Sequence, residues 1–231
     1  MSKFLTEAVK NSADVLAQTL DSVFESLKAL QEAAEPLLNS PTVAKSDLVT
    51  LEPAARNLIA HHAGLVDGAG VAIAPGLLVD AHTWMQSWHT VGGEVGFTRH
   101  SLNPASVNYY DYTHMSWFQH PVASGQPSLT GPYWDFGGTD TTIITASLPV
   151  VGRGGRISVA AADLSVHFLE VTFLRSLGKQ AASVALITEG GKVVASNSAR
   201  YAVGRSGPIL GETHPVPFQN VPAPWKIVFT P

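Results

Sequence analysis

Between residues 9 and 37, apolar side chains recur in steps of four and three (Val9, Ala13, Leu16, Leu20, Val23, Leu27, Leu30, Ala34, Leu37). This is the seam of one long amphipathic helix. About 30 residues at 1.5 Å each span roughly 45 Å. Such a seam suits packing on its own domain or pairing with a copy in a homodimer. Pro36 and the Asn-Ser-Pro stretch at 39–41 should stop the helix. Ser46 or Asp47 is expected to cap a second helix, running to about residue 63 and ended by Gly64.

Downstream the period falls towards two. Residues 68–76 and 82–90 read as short strands around Pro75-Gly76, and 92–108 as loop. A short helix is expected over 112–120. Residues 141–151 and 156–166 are rich in β-branched side chains and joined by Gly152-Arg153-Gly154-Gly155, which predicts a hairpin. A helix over 166–177, a hairpin over 184–197 turning at Gly190-Gly191, and a last strand at 225–230 complete the pattern. The fold class is therefore α+β: a long N-terminal helix followed by PAS-like antiparallel sheet modules, with no βαβ alternation. Three regions are expected: a helical region 1–64, a first sheet module 65–166, and a linking helix with an abbreviated second module 167–231.

Composition removes several functions. The 231 residues are 45% hydrophobic and 14% charged, with 14 Lys+Arg against 18 Asp+Glu, so no basic stripe neutralises phosphates and nucleic acid is not an expected partner. Zero cysteines exclude disulfides, thiolate catalysis and thiolate metal sites. Charges at Glu7, Lys10, Asp14, Asp21, Glu25 and Lys28 break up the N-terminal region, leaving no signal peptide or membrane span. A cytoplasmic chain is expected, or an extracytoplasmic one if it is excised from a receptor. The nine histidines show no HExxH or other ligand spacing, the glycines of 152–155 lack a phosphate-loop context, and no G-x-S-x-G elbow occurs. Neither metal nor cofactor is expected.

What remains is a run of rings and carboxylates. Trp117, Tyr133 and Trp134 can serve as core. Asp135, between Trp134 and Phe136, and Asp163, ending the apolar run Ile157-Ser-Val-Ala-Ala-Ala, are costly to bury alone. Each should meet either a protein donor or a cationic ligand.

Four stretches in order, NYYDYTHMSWF (108–118), GPYWDF (131–136), ITASLPVVGRGGRISVAAADLSV (144–166) and ALITEGGKVVASNS (185–198), resemble the Cache, or PDC, sensor domains, and most of all the double-module type. The resemblance implies a non-catalytic module that binds a small molecule in its first sheet module and signals to a partner. Amino-acid-binding members carry Tyr, Arg, Trp, Tyr and Asp, which fall on Tyr110, Met115, Trp117, Tyr133 and Asp163. Met115 departs from the pattern, because methionine cannot fork onto a ligand carboxylate as arginine does. Rings and Asp163 without the arginine, and with Asp135 as a second acceptor, favour a small cationic amine, which gains cation–π attraction. His114, if protonated, would instead readmit amino acids or organic acids. Two rivals stand beside this reading: an enzyme using Asp135, Asp163 and a histidine as acid and base, and a scaffold whose first module is filled by its own side chains. Trp134 is expected to pack behind the site.

Overall fold

The computed structural model describes residues 3–208 and 210–230. Helix α1 (Lys3–Leu38) buries Val9, Ala13, Leu16, Leu20, Val23, Leu27, Leu30 and Ala34. The seam lies against the chain's own sheets and helices, so it is not free to zip onto a copy. Pro36 does not stop the helix, because near the C-terminus its missing N–H removes only one bond. Leu38 rather than Leu37 is the last seam residue, and Asn39 ends the helix by donating from Nδ2 to the carbonyls of Glu35 and Val151.

The second helix differs from its sequence reading. A 3-10 turn (Asp47–Leu51) leads into α2 (Glu52–His61), with Pro53 in the first turn. Ser46 makes no side-chain cap, and the Asp47 carboxylate accepts from the amide of Ala44, outside the helix.

Six antiparallel strands form the first sheet in the order β3-β2-β1-β6-β5-β4. They are β1 (Val66–Ile73), β2 (Trp84–Val91), β3 (Glu94–Thr98), β4 (Ser128–Trp134), β5 (Thr142–Val151) and β6 (Ile157–Ser165). Strand β3 falls where loop was expected, and β4 where no element was predicted. In β3, Val91 pairs with Glu94 across the two-residue turn Gly92-Gly93, whose positive φ angles suit a hairpin. Strand β4 is an edge strand, where Pro132 is tolerated, and its register shifts between Thr130 and Tyr133. The Gly152–Gly155 connection is the expected turn between β5 and β6, and Arg153 donates to the carbonyls of Pro41 and Leu77, holding the turn to the end of α1.

Period two gives the first sheet two different faces. Ala146, Ala160, Ala162 and Leu164 point back into the main core with α1, α2 and α4 (Val166–Leu177). The front face carries Thr145 and Ser147 of β5, Val159, Ala161 and Asp163 of β6, and Gly68, Gly70 and Ala72 of β1. A smaller front core of Tyr110, Tyr112, Trp117, Phe118 and Val159 closes over it, carried by a 3-10 turn (Tyr112–His114) and α3 (Ser116–Ser124). Tyr112 fixes this cover by donating to the Ile73 carbonyl at 2.6 Å.

The second sheet has the order β8-β7-β10-β9: β7 (Ser183–Ile187), β8 (Val193–Ser196), β9 (Glu212–Pro215) and β10 (Lys226–Thr230). Strand β9 has no counterpart in the sequence reading. The Asp21 carboxylate of α1 accepts from the amides of Gln219 and Asn220, tying this sheet's connection to the long helix. No helix is long and apolar enough to cross a membrane among the described residues.

Candidate functional site

The site is built on register. His89 of β2 pairs with Gly68 of β1, which pairs with Asp163 of β6, so the three lie in one row on the front face. Gly68 has no side chain, and the imidazole lies across it to donate from Nε2 to Asp163 Oδ2 at 3.0 Å. A Cβ on Gly68 would fall 1.9 Å from His89 Cδ2. On the other side of Asp163, Thr145 donates to Oδ1 at 3.1 Å. Since that hydroxyl hydrogen is used, Tyr133 donates its own to Thr145 Oγ1 at 2.7 Å. Asp163 thus meets protein donors, and they fill two of the roughly four lone-pair sites of a carboxylate.

Asp135 is more fully satisfied. Tyr110 donates to its Oδ1 at 2.8 Å, and Thr139 donates to Oδ2 from its amide at 2.7 Å and its hydroxyl at 3.1 Å. The tight turn over 135–141 requires Gly138, where a Cβ would sit 2.0 Å from the carboxylate. Burial first, and Asp163 second, raise the Asp135 pKa above the ordinary carboxylate value. Burial likewise pushes the Tyr110 and Tyr133 phenols well above their usual range, with Asp135 and Asp163 adding to it. His100 stacks on Tyr110 with ring centres 5.2 Å apart and shares a hydrogen bond with Ser87. Burial and neighbouring His89 lower its pKa to about 4, so His100 is neutral at pH 7.

These groups enclose a cavity of about 30 Å³ bordered by Tyr110, Trp117, Asp135, Asp163, His89 and His100, with Gly70 and Ala161 at its floor. Among the described residues, no lysine or arginine lines it. Four of the seven residues singled out from sequence (Tyr110, Trp117, Asp135 and Asp163) meet at the cavity, and Tyr133 joins through Thr145. Met115 and His114 do not border it. Both line a separate open cleft, and the exposed His114 ring lies 2.7 Å from the Asp111 carboxylate. Trp134 does not pack behind the site either: past the register shift it points outward and is 61% exposed. His89, Gly68, Thr145, Thr139 and His100 had no signal in the sequence beyond an isolated glycine in a strand, which marks a close approach.

The long helix and the two antiparallel sheets match known proteins. Residues 95–171 match the family model "Methyl-accepting chemotaxis protein-like, first PDC sensor domain". The chain has a PDC, or Cache, sensor fold. The PDC match spans His100, Tyr110, Trp117, Tyr133, Asp135, Thr145 and Asp163, while His89 and Gly68 lie before it. Among solved PDC-like structures, the ligand-binding domain of the Pseudomonas aeruginosa PAO1 amino acid chemoreceptor PctC, in complex with GABA, is 17% identical, with a TM-score of 0.64 over 98% of each chain. That of PctB from the same organism, in complex with L-Arg, is 16% identical, with a TM-score of 0.66 over 98% of this chain and 92% of that one. The extracellular domain mmHK1S-Z3, assigned to a histidine kinase, is 12% identical, with a TM-score of 0.73 over 99% and 94%.

Proposed function

We propose that the chain is a non-catalytic sensor module whose first sheet module binds a small cationic amine, its ammonium seated on Asp163 between the rings of Tyr110 and Trp117. The observation that carries this reading is the charge of the cavity wall: among the described residues it has two carboxylates and no lysine or arginine. Asp163 keeps lone pairs that its two protein donors leave unused. His89 adds to this, since its Nδ1 is buried without a hydrogen-bond partner among the described residues, and in the neutral ring that donates from Nε2 this atom is an acceptor. The solved PctB and PctC domains hold L-Arg and GABA, and both ligands carry an ammonium group.

A cavity of about 30 Å³ has room for a water or two, against roughly 300–1,000 Å³ for small-molecule pockets in general. The pocket therefore opens as it fills. Helix α3 is the wall that yields, because side chains rather than a strand ladder hold it to the sheet. Ordering that wall around an amine is the event passed on to a signalling partner. A thermal-shift screen of primary and quaternary amines against organic acids tests the reading. Stabilisation by amines is expected from mass action; stabilisation by organic acids alone contradicts it.

A further inference from the structure

The carboxylate that faces the front cavity is shared with a group that can itself become a cation. The side chains of His89 and Asp163 are 11% and 20% exposed, and Nε2 lies 3.0 Å from Oδ2, so the two form an ion pair whenever the ring holds its second proton. With Nε2–H given to Asp163, that proton sits on Nδ1, which is buried without a hydrogen-bond partner among the described residues. Charge alone holds it: the Asp163 carboxylate attracts the imidazolium, and burial opposes it.

The other titratable groups around the ring come from every neighbouring element. On β3 the residue paired with His89 is Gly96, which has no side chain. After β3, His100 stands with its ring centre 6.1 Å from that of His89, and its pKa, lowered to about 4 chiefly by burial, keeps it neutral through the ordinary imidazole range. Asp67 of β1 and Asp135 across the cavity are carboxylates raised by burial first and by Asp163 second, and Asp135 is already met by Tyr110 and Thr139. The Tyr110 and Tyr133 phenols are pushed far above their usual range and stay uncharged. Of these groups only Asp163 is hydrogen-bonded to the His89 ring.

We infer that a cationic amine and the second proton of His89 compete for the Asp163 carboxylate, a competition that rests on the amine reading of the front cavity and makes the site respond to amine and acidity together. An ammonium on Asp163 sets a second positive charge beside the imidazolium and takes up the negative charge that held it. The ring then loses its proton to solvent and stays on Oδ2 as a neutral Nε2–H donor. Because the free site binds more protons than the filled one, affinity rises with pH through the imidazole range.

The test uses the full chain and propylamine, which stays charged throughout, as a lysine ammonium does. In unbuffered salt at pH 6, pH-stat titration is expected to record release of up to one proton per propylamine bound, falling towards zero at pH 8. Calorimetry should give an affinity about tenfold lower at pH 5.5 than at pH 7.5. His89→Gln keeps a donor for Asp163 but cannot take up a proton; with its fold checked by circular dichroism, it should release no proton on binding and change affinity by less than about twofold over that range. In ¹⁵N spectra of the wild type at pH 6, the His89 Nδ1 signal should move towards its unprotonated position as propylamine is added, a readout that needs no variant. Binding without proton release, or release that persists in His89→Gln, overturns the competition and leaves the amine reading standing. Absence of propylamine binding at every pH overturns both.

Discussion

His89 reaches Asp163 across a residue that has no side chain: the imidazole of β2 lies over Gly68 of β1, and Nε2 meets Oδ2 of β6 at 3.0 Å. The row works only while the middle position stays empty.

Gly68→Ala should therefore destabilise the fold by about 1–3 kcal/mol, as overpacking does, because its methyl group would occupy the space of the imidazole. The same change in a His89→Ala background should cost clearly less. Urea unfolding of the four proteins in a double-mutant cycle measures the difference. Equal costs in both backgrounds would show that the ring does not cross Gly68.

Tyr110→Phe removes the buried donor to Asp135 Oδ1. The expected loss is about 1–3 kcal/mol, the cost of an unpaired buried acceptor. Urea unfolding of the single variant reads it, and a change below about 0.5 kcal/mol, typical of surface positions, would place Tyr110 outside the network.

His100 sets a pH dependence. Its folded pKa is lowered to about 4 from 6.5, so the unfolded chain takes up the proton first. Its stabilising contribution is complete above pH 6.5 and is lost as the pH falls towards 4. Asp135 and Asp67, both raised chiefly by burial, act in the opposite direction and gain stability on acidification. His100→Gln isolates the histidine: between pH 7.5 and 4.5 the wild type should lose up to about 2 kcal/mol relative to the variant. Parallel unfolding curves would contradict this.

How much of this was legible in the sequence depends on the range over which each feature is encoded. The α1 seam, the β5–β6 hairpin and α4 are written in local periodicity and lie where it put them. Strand β3 was missed although Gly92-Gly93 is a hairpin signal, because the exposed strand has too few buried positions to show a period. Strand β4 was missed because Gly131 and Pro132 break its period, which only an edge position tolerates. Trp117, Tyr133 and Asp163 stood out as rings and a carboxylate, Tyr110 came from a resemblance, and the four converge on the front face. His89 and Thr145 did not, since their role comes from cross-strand register, a long-range property that no single stretch carries. Asp135 and Asp163 were marked as groups needing partners, and each has protein donors. Met115 and Trp134 lie outside the cavity for a related reason: the start of α3 and the shift in β4 turn them elsewhere.

The most direct test of the account is calorimetric titration of the wild type and Asp163→Ala with the amine that most raises the melting temperature. The account predicts saturable 1:1 binding by the wild type, and none by the variant at the same concentrations while circular dichroism shows an intact fold. Undiminished amine affinity in Asp163→Ala would contradict it.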